Sequence, residues 1–140
     1  MLRFVPDASV TVTWCFEDEA SGWTDALLAR LKSGDGATVP AHWPAEVVNT
    51  ILIAIRRGRL TREKGIRFFE DLRGLPIEID PESTESSFDR TFTLAEQYRL
   101  TIYDAAYLEL AMRKALPLAT LDGDLQKAAR TAGVVLLEKM

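Results

Sequence analysis

Leu2-Arg3-Phe4-Val5-Pro6-Asp7 is a short apolar run closed by a carboxylate. A run of this length suits a buried strand, and the acid stands where that strand would end. The arrangement returns late in the chain, where Asp122 follows Leu118-Ala119-Thr120-Leu121. Two more acids stand where helices begin: Glu46, just after Pro44, and Asp104, three residues after Thr101. In an open α/β sheet the C-terminal ends of strands and the N-terminal ends of helices share one edge, where sites form.

Between these points, apolar runs of strand length alternate with amphipathic stretches of helix length, the pattern of an α/β sandwich with a mainly parallel sheet. Strands are predicted over residues 2–6, 37–39, 75–79, 117–121 and 134–137, giving a sheet of about five. Helices are predicted over 21–32, 44–57, 62–72, 83–98, 102–114 and 123–131. Pro44 suits a first helical turn, Thr61 and Thr101 are N-caps, and Gly58 and Gly133 are natural stops. Phe88, Phe92 and Ala95 are expected to share one face of the fourth long helix.

The chain has 140 residues, 47% of them hydrophobic and 27% charged, which suits one domain, residues 1–140, and argues against disorder. The net charge of -4 means that the surface as a whole does not attract polyanions. A nucleic acid would have to bind through a local basic patch or through metal. Cys15 is the only cysteine, so no internal disulfide forms and zinc or thiol chemistry is a poor reading. Nothing resembles a signal peptide or a span of the bilayer, and the expected location is the cytoplasm.

Each acid has an ordinary explanation when taken alone. Asp7 suits a turn and Asp122 a helix cap. Glu46, Asp104 and Asp124 suit the positive end of a helix dipole. Four ordinary caps need not converge on one sheet edge, however, and four carboxylates that do so repel one another. A hard divalent cation is the usual answer, because Mg2+ and Mn2+ take oxygen ligands and retain waters. The residues by themselves therefore point to a metal-dependent phosphodiesterase.

The same segments resemble the acidic motifs of the PIN-domain ribonucleases. Phe4-Val5-Pro6-Asp7-Ala8-Ser9-Val10 is similar to the opening motif and Pro44-Ala45-Glu46-Val47-Val48-Asn49 to the second. Thr101-Ile102-Tyr103-Asp104-Ala105-Ala106-Tyr107-Leu108 is similar to the third, and Thr120-Leu121-Asp122-Gly123-Asp124-Leu125 to the fourth. Order, approximate spacing and length resemble the VapC-type toxins of bacterial toxin–antitoxin pairs. The resemblance implies a PIN-like three-layer α/β/α sandwich and an endoribonuclease that hydrolyses RNA with metal-activated water, leaving a 5′-phosphate and a 3′-hydroxyl. It implies that Asp7, Glu46, Asp104 and Asp122 form the catalytic set around Mg2+ or Mn2+, with Asp124 a further ligand. Ser9 and Thr120 would orient carboxylates or water, and Asn49, one turn beyond Glu46, would orient that acid. A cognate antitoxin and self-association are also implied.

Other features bear on the same reading. Arg56, Arg57 and Arg59 begin the densest basic stretch, either a solvated surface or a track for RNA phosphates. Val47, Val48, Ile51, Leu52, Ile53 and Ile55 make one helix apolar almost all round, which suits deep burial or a shared interface, such as a homodimer. His42, the only histidine, is expected in a loop or packing role. Trp14, Trp23 and Trp43 are expected to pack. Two other readings compete: a PIN-like binding module that has lost catalysis, and an acid-pocket phosphotransferase. The phosphotransferase wants a second acid near Asp7, where Ser9 stands.

Overall fold

The computed structural model describes residues 1–138. Four parallel strands form the sheet: β1 (Arg3–Pro6), β2 (Gly36–Val39), β3 (Ile77–Ile79) and β4 (Leu118–Ala119), in the order β3-β2-β1-β4. After β1 the chain builds the sheet to one side through β2 and β3, and β4 returns to the other side. The β1/β4 boundary is thus a topological switch point, where an open sheet leaves a crevice beyond its strand ends.

Alternate residues of the strands feed two cores. Phe4, Ala37 and Ala119 pack with Leu27 and Leu31 of α2 (Gly22–Lys32) and with Val10 of α1 (Ala8–Thr11). Val5, Val39 and Leu118 pack on the opposite face with Val47 and Ile51 of α3 (Trp43–Arg56). Phe68 of α4 (Arg62–Arg73), Leu108 and Leu110 of α7 (Ile102–Lys114) and Leu125 of α8 (Gly123–Ala132) complete that second core. Helices cover both faces, so the sandwich has three layers. The helix ends facing the switch point are capped from the sequence itself: Asp7 caps α1, Thr101 caps α7 and Asp122 caps α8, each accepting a backbone N–H three residues on.

Two sequence expectations need correction. The sheet has four strands and not about five, because residues 134–137 join it through a single bridge, Leu136 to Leu118. β4 is only two residues long, and its neighbour is held by Leu118 N–H to Val135 O and Leu137 N–H to Leu118 O, with no ladder to extend. The stretch 83–98 is also not one regular helix. It consists of α5 (Ser83–Ser86), a π-helical turn (Ser87–Thr91) and α6 (Phe92–Tyr98). A π turn holds an extra residue and shifts the register beyond it by about 100°. Thr91 and Ala95 are therefore buried, while Phe88 is 83% and Phe92 52% exposed.

A buried ion network holds this segment to α7. Arg113 contacts Asp80, Glu109 and Glu82, and both Asp80 and Glu109 are almost fully buried. Burial works against the charged form of Asp80, but Arg113 outweighs it and keeps the carboxyl below its ordinary pKa. Removing Arg113 strands two buried carboxylates. Arg113→Met is expected to destabilise the protein by about 3–5 kcal/mol, measured as a lower urea midpoint with an unchanged slope.

Candidate active site

Asp7 follows directly on β1 and is buried, with 3% of its surface exposed. Its carboxylate ties the switch point together. Oδ1 accepts from the Ser9 hydroxyl at 2.6 Å and from Val10 N–H at 3.1 Å, and Oδ2 accepts from the Thr120 hydroxyl. Those hydroxyls in turn accept from the loop after β4: Ser9 Oγ from Leu121 N–H and Thr120 Oγ1 from Asp122 N–H, each at 3.0 Å. Asp7 is thus fastened both to the helix that follows it and to a segment 113 residues away.

Glu46 lies in the first turn of α3 and faces the same edge. Tyr107, on α7, donates its hydroxyl to Glu46 Oε1 at 2.8 Å. His42 Nε2 stands 3.0 Å from the same oxygen, yet the contact is out of line for a hydrogen bond, and Nε2 is buried without one. Proximity, and not an aligned bond, is what the imidazole offers. Its ring packs edge-on against Tyr107 at 5.0 Å and tilted against Tyr103 at 5.5 Å. Burial works against the charged Glu46, but His42 and the Tyr107 hydroxyl outweigh it and leave the pKa below its ordinary value.

For Asp7 and Asp104 the relief is outweighed. Burial pushes the Asp7 carboxyl up to about 6, against its three hydrogen bonds, and Glu46 adds to the rise. Burial likewise pushes Asp104 up to about 6, followed by the charges of Asp122, Asp7 and Glu46. Asp104 therefore lies within electrostatic reach of the other three acids, and Asp7 within reach of Glu46. Among the described residues, no lysine or arginine forms a salt bridge with Asp7 or Asp104, and His42 pulls Asp104 down.

The remaining candidates are placed differently. Asp122 stands at the N-terminus of α8, with Oδ2 accepting from Leu125 N–H at 2.8 Å. Asp124 is exposed and borders a hollow with Gln97, Tyr98, Arg99 and Lys127, and it is not among the charges acting on Asp104. Asn49 is exposed, and the hydrogen bond to Glu46 comes from Tyr107. Arg56, Arg57 and Arg59 lie at the far end of α3, about 15 Å along the axis from Glu46. Arg59 is engaged there with Asp18 and Glu19 and lies 4.4 Å over the Phe16 ring. Trp43 is buried, donating to the Thr11 hydroxyl, and Trp14 donates to Thr24 O.

Sequence reasoning missed Tyr107 and gave His42 only a packing role. A signal was present in the spacing, since Tyr107 falls three residues after Asp104 and shares its helix face. Nothing local showed that α3 would meet that face.

A family model for the PIN domain matches residues 4–131. The chain belongs to the PIN-domain family. It is 29% identical over 124 residues to ribonuclease VapC12 of Mycobacterium tuberculosis, covering 89% of this chain and 90% of that protein. Its fold resembles the crystal structure of PAE2754 from Pyrobaculum aerophilum, with a TM-score of 0.69, 21% identity, and 97% and 91% of the two chains covered. It also resembles VapBC2 from Rickettsia felis, solved bound to a DNA fragment from its promoter, with a TM-score of 0.66, 14% identity, and 96% and 97% covered. At these identities the structural likenesses establish the fold of this PIN domain and nothing finer.

The raised carboxyls give a stability test in the metal-free protein. A group whose folded pKa lies above its unfolded value contributes stability below the unfolded value and loses it as the pH climbs through the folded one. For Asp104 that window runs from about 4 to about 6. Asp104→Asn is expected to be about 1–2 kcal/mol more stable than the parent at neutral pH, after allowance for solvent screening of a half-buried group. The two proteins should converge near pH 4 in thermal melts recorded with EDTA.

Proposed function

We propose that the chain is the endoribonuclease toxin of a toxin–antitoxin pair, a VapC-type PIN domain spanning residues 1–140 that acts in the cytoplasm on RNA phosphodiesters. The observation that carries this reading is the gathering of carboxylates at the switch point, where burial and then neighbouring acids raise Asp7 and Asp104 to about 6 and, among the described residues, no lysine or arginine forms a salt bridge with either. Membership of the PIN family and likeness to a protein named as a ribonuclease support it.

The donor chemistry fits Mg2+ or Mn2+. Every candidate donor is a carboxylate oxygen, the hard ligand these ions prefer. Among the described residues, no three side chains of metal-binding type already stand together around one point. Mg2+ keeps several of its waters, through which acids set further apart can still hold it. Asp7, Glu46, Asp104 and Asp122 would hold the ion, with Asp124 further out. Such an ion supplies positive charge for the phosphate and lowers the pKa of water.

The chain's own groups do the positioning. The Ser9 and Thr120 hydroxyls and the Val10 amide donate to Asp7, so both its oxygens keep fixed directions when the carboxylate is charged. Asp104 stands on the first turn of α7, its backbone amide donating to the Thr101 cap. The acids repel an approaching phosphate until their charge is offset, which ties RNA binding to metal loading. No described helix is long and apolar enough to cross a membrane. Val48, Leu52 and Ile53 line the outer side of α3 as exposed apolar residues, which supports self-association or cover by an antitoxin. The likeness to VapBC2 supports the antitoxin.

The test is cleavage of a mixed RNA panel with Mg2+ or Mn2+, beside EDTA and variant controls. Cutting is expected only with metal and should leave 5′-phosphate ends. Asp7→Asn and Asp104→Asn should each reduce it by more than about 100-fold, beyond the usual effect of altering an outer-shell partner. Folded, metal-loaded protein free of any partner that cuts no RNA would replace the nuclease reading with the binding module.

A further inference from the structure

We infer that Tyr107 is a positioning residue of the acidic centre, its hydroxyl fixing the Glu46 carboxylate beside Asp7 and Asp104. The functional consequence rests on the nuclease reading above; the positioning itself rests on geometry. The Tyr107 ring is completely buried and forms part of the main core, so its oxygen cannot wander. Glu46 is different: its side chain is 39% exposed and carries three free torsions. The 2.8 Å bond from Tyr107 joins the immobile group to the mobile one and commits Oε1. Burial and the neighbouring Glu46 push the phenol pKa far above its ordinary value, so the hydroxyl stays a donor at every working pH.

A core position gains nothing from that hydroxyl. Phenylalanine would fill the same space without burying a polar group, and a buried hydroxyl is unfavourable unless bonded. Solvent already meets part of the Glu46 charge, its side chain being 39% exposed, so what the bond chiefly adds is a fixed direction. The bond therefore serves the orientation of Glu46. Tyr107 lies one turn beyond Asp104 on α7. One phenol thus fixes Glu46 on α3 relative to the helix that carries Asp104.

Tyr107→Phe keeps the ring and removes only the bond. With Mn2+ alone, titrated by electron paramagnetic resonance, the variant is expected to bind about 10-fold more weakly. On a cleaved RNA, kcat should fall about 10–100-fold with KM unchanged, because no RNA contact is lost. The melting temperature should stay within about 5 °C of the parent. In a Glu46→Ala background the same change should alter Mn2+ affinity less than about 2-fold, because its target is gone. Parent-like Mn2+ binding and cleavage by Tyr107→Phe would overturn the inference, as would an equally large effect in the Glu46→Ala background. If the parent binds Mn2+ but cuts no RNA, the nuclease reading fails and the Mn2+ comparison still decides the role of Tyr107. The contact has its own metal-free readout. An exchange-protected hydroxyl proton in the NMR spectrum should vanish in Glu46→Ala, and its absence from the parent would overturn the inference.

Discussion

A buried carboxylate with no cation beside it is the constraint around which the active edge is arranged. Asp7 ends the central strand, where water cannot reach it freely, and its charge has to be met by hydrogen bonds. Ser9 and Val10 supply two from the following turn, and Thr120 supplies a third from the strand on the far side of the switch point. The same hydroxyls accept amides from the β4–α8 loop. Satisfying one acid therefore fixes the loop that presents another, Asp122. Burial above all, and then repulsion from the neighbouring carboxylates, leaves Asp7 and Asp104 hard to ionise.

The rest of the molecule holds this edge against that repulsion. Helices on both faces bury the strands, and the parallel order leaves every strand end on one side. Far from the acids, Arg113 gathers Asp80, Glu109 and Glu82, so the second group of buried acids has the cation that the first lacks. The contrast is informative: where negative charge serves only structure, the chain supplies its own counter-charge. Where none is supplied, the site is open to a cation from solution.

Much of this was legible locally. The acids stand at the ends of apolar runs and in first helical turns, and strand ends and helix starts are written in a few neighbouring residues. The caps Thr61 and Thr101 were readable for the same reason. The failures were also local in origin. A helical period carried Phe88, Phe92 and Ala95 onto one face, but a π turn between them broke the register. Residues 134–137 look like a strand, yet their partner β4 is too short to make them one. The basic run was visible, but not that Arg59 would be taken up by Asp18, Glu19 and Phe16.

By itself the sequence determined the α/β alternation, the order of the four acids and the element end at which each stands. These depend on side-chain periodicity and capping, which act over three or four residues. Tertiary structure alone decided that Thr120 reaches Asp7 across 113 positions and that Tyr107 reaches Glu46 across 61. It also decided which acids remain uncompensated, since a pKa depends on burial and on charges brought near by packing. Distance along the chain carries no information about such contacts until strand order and helix packing have placed the residues side by side.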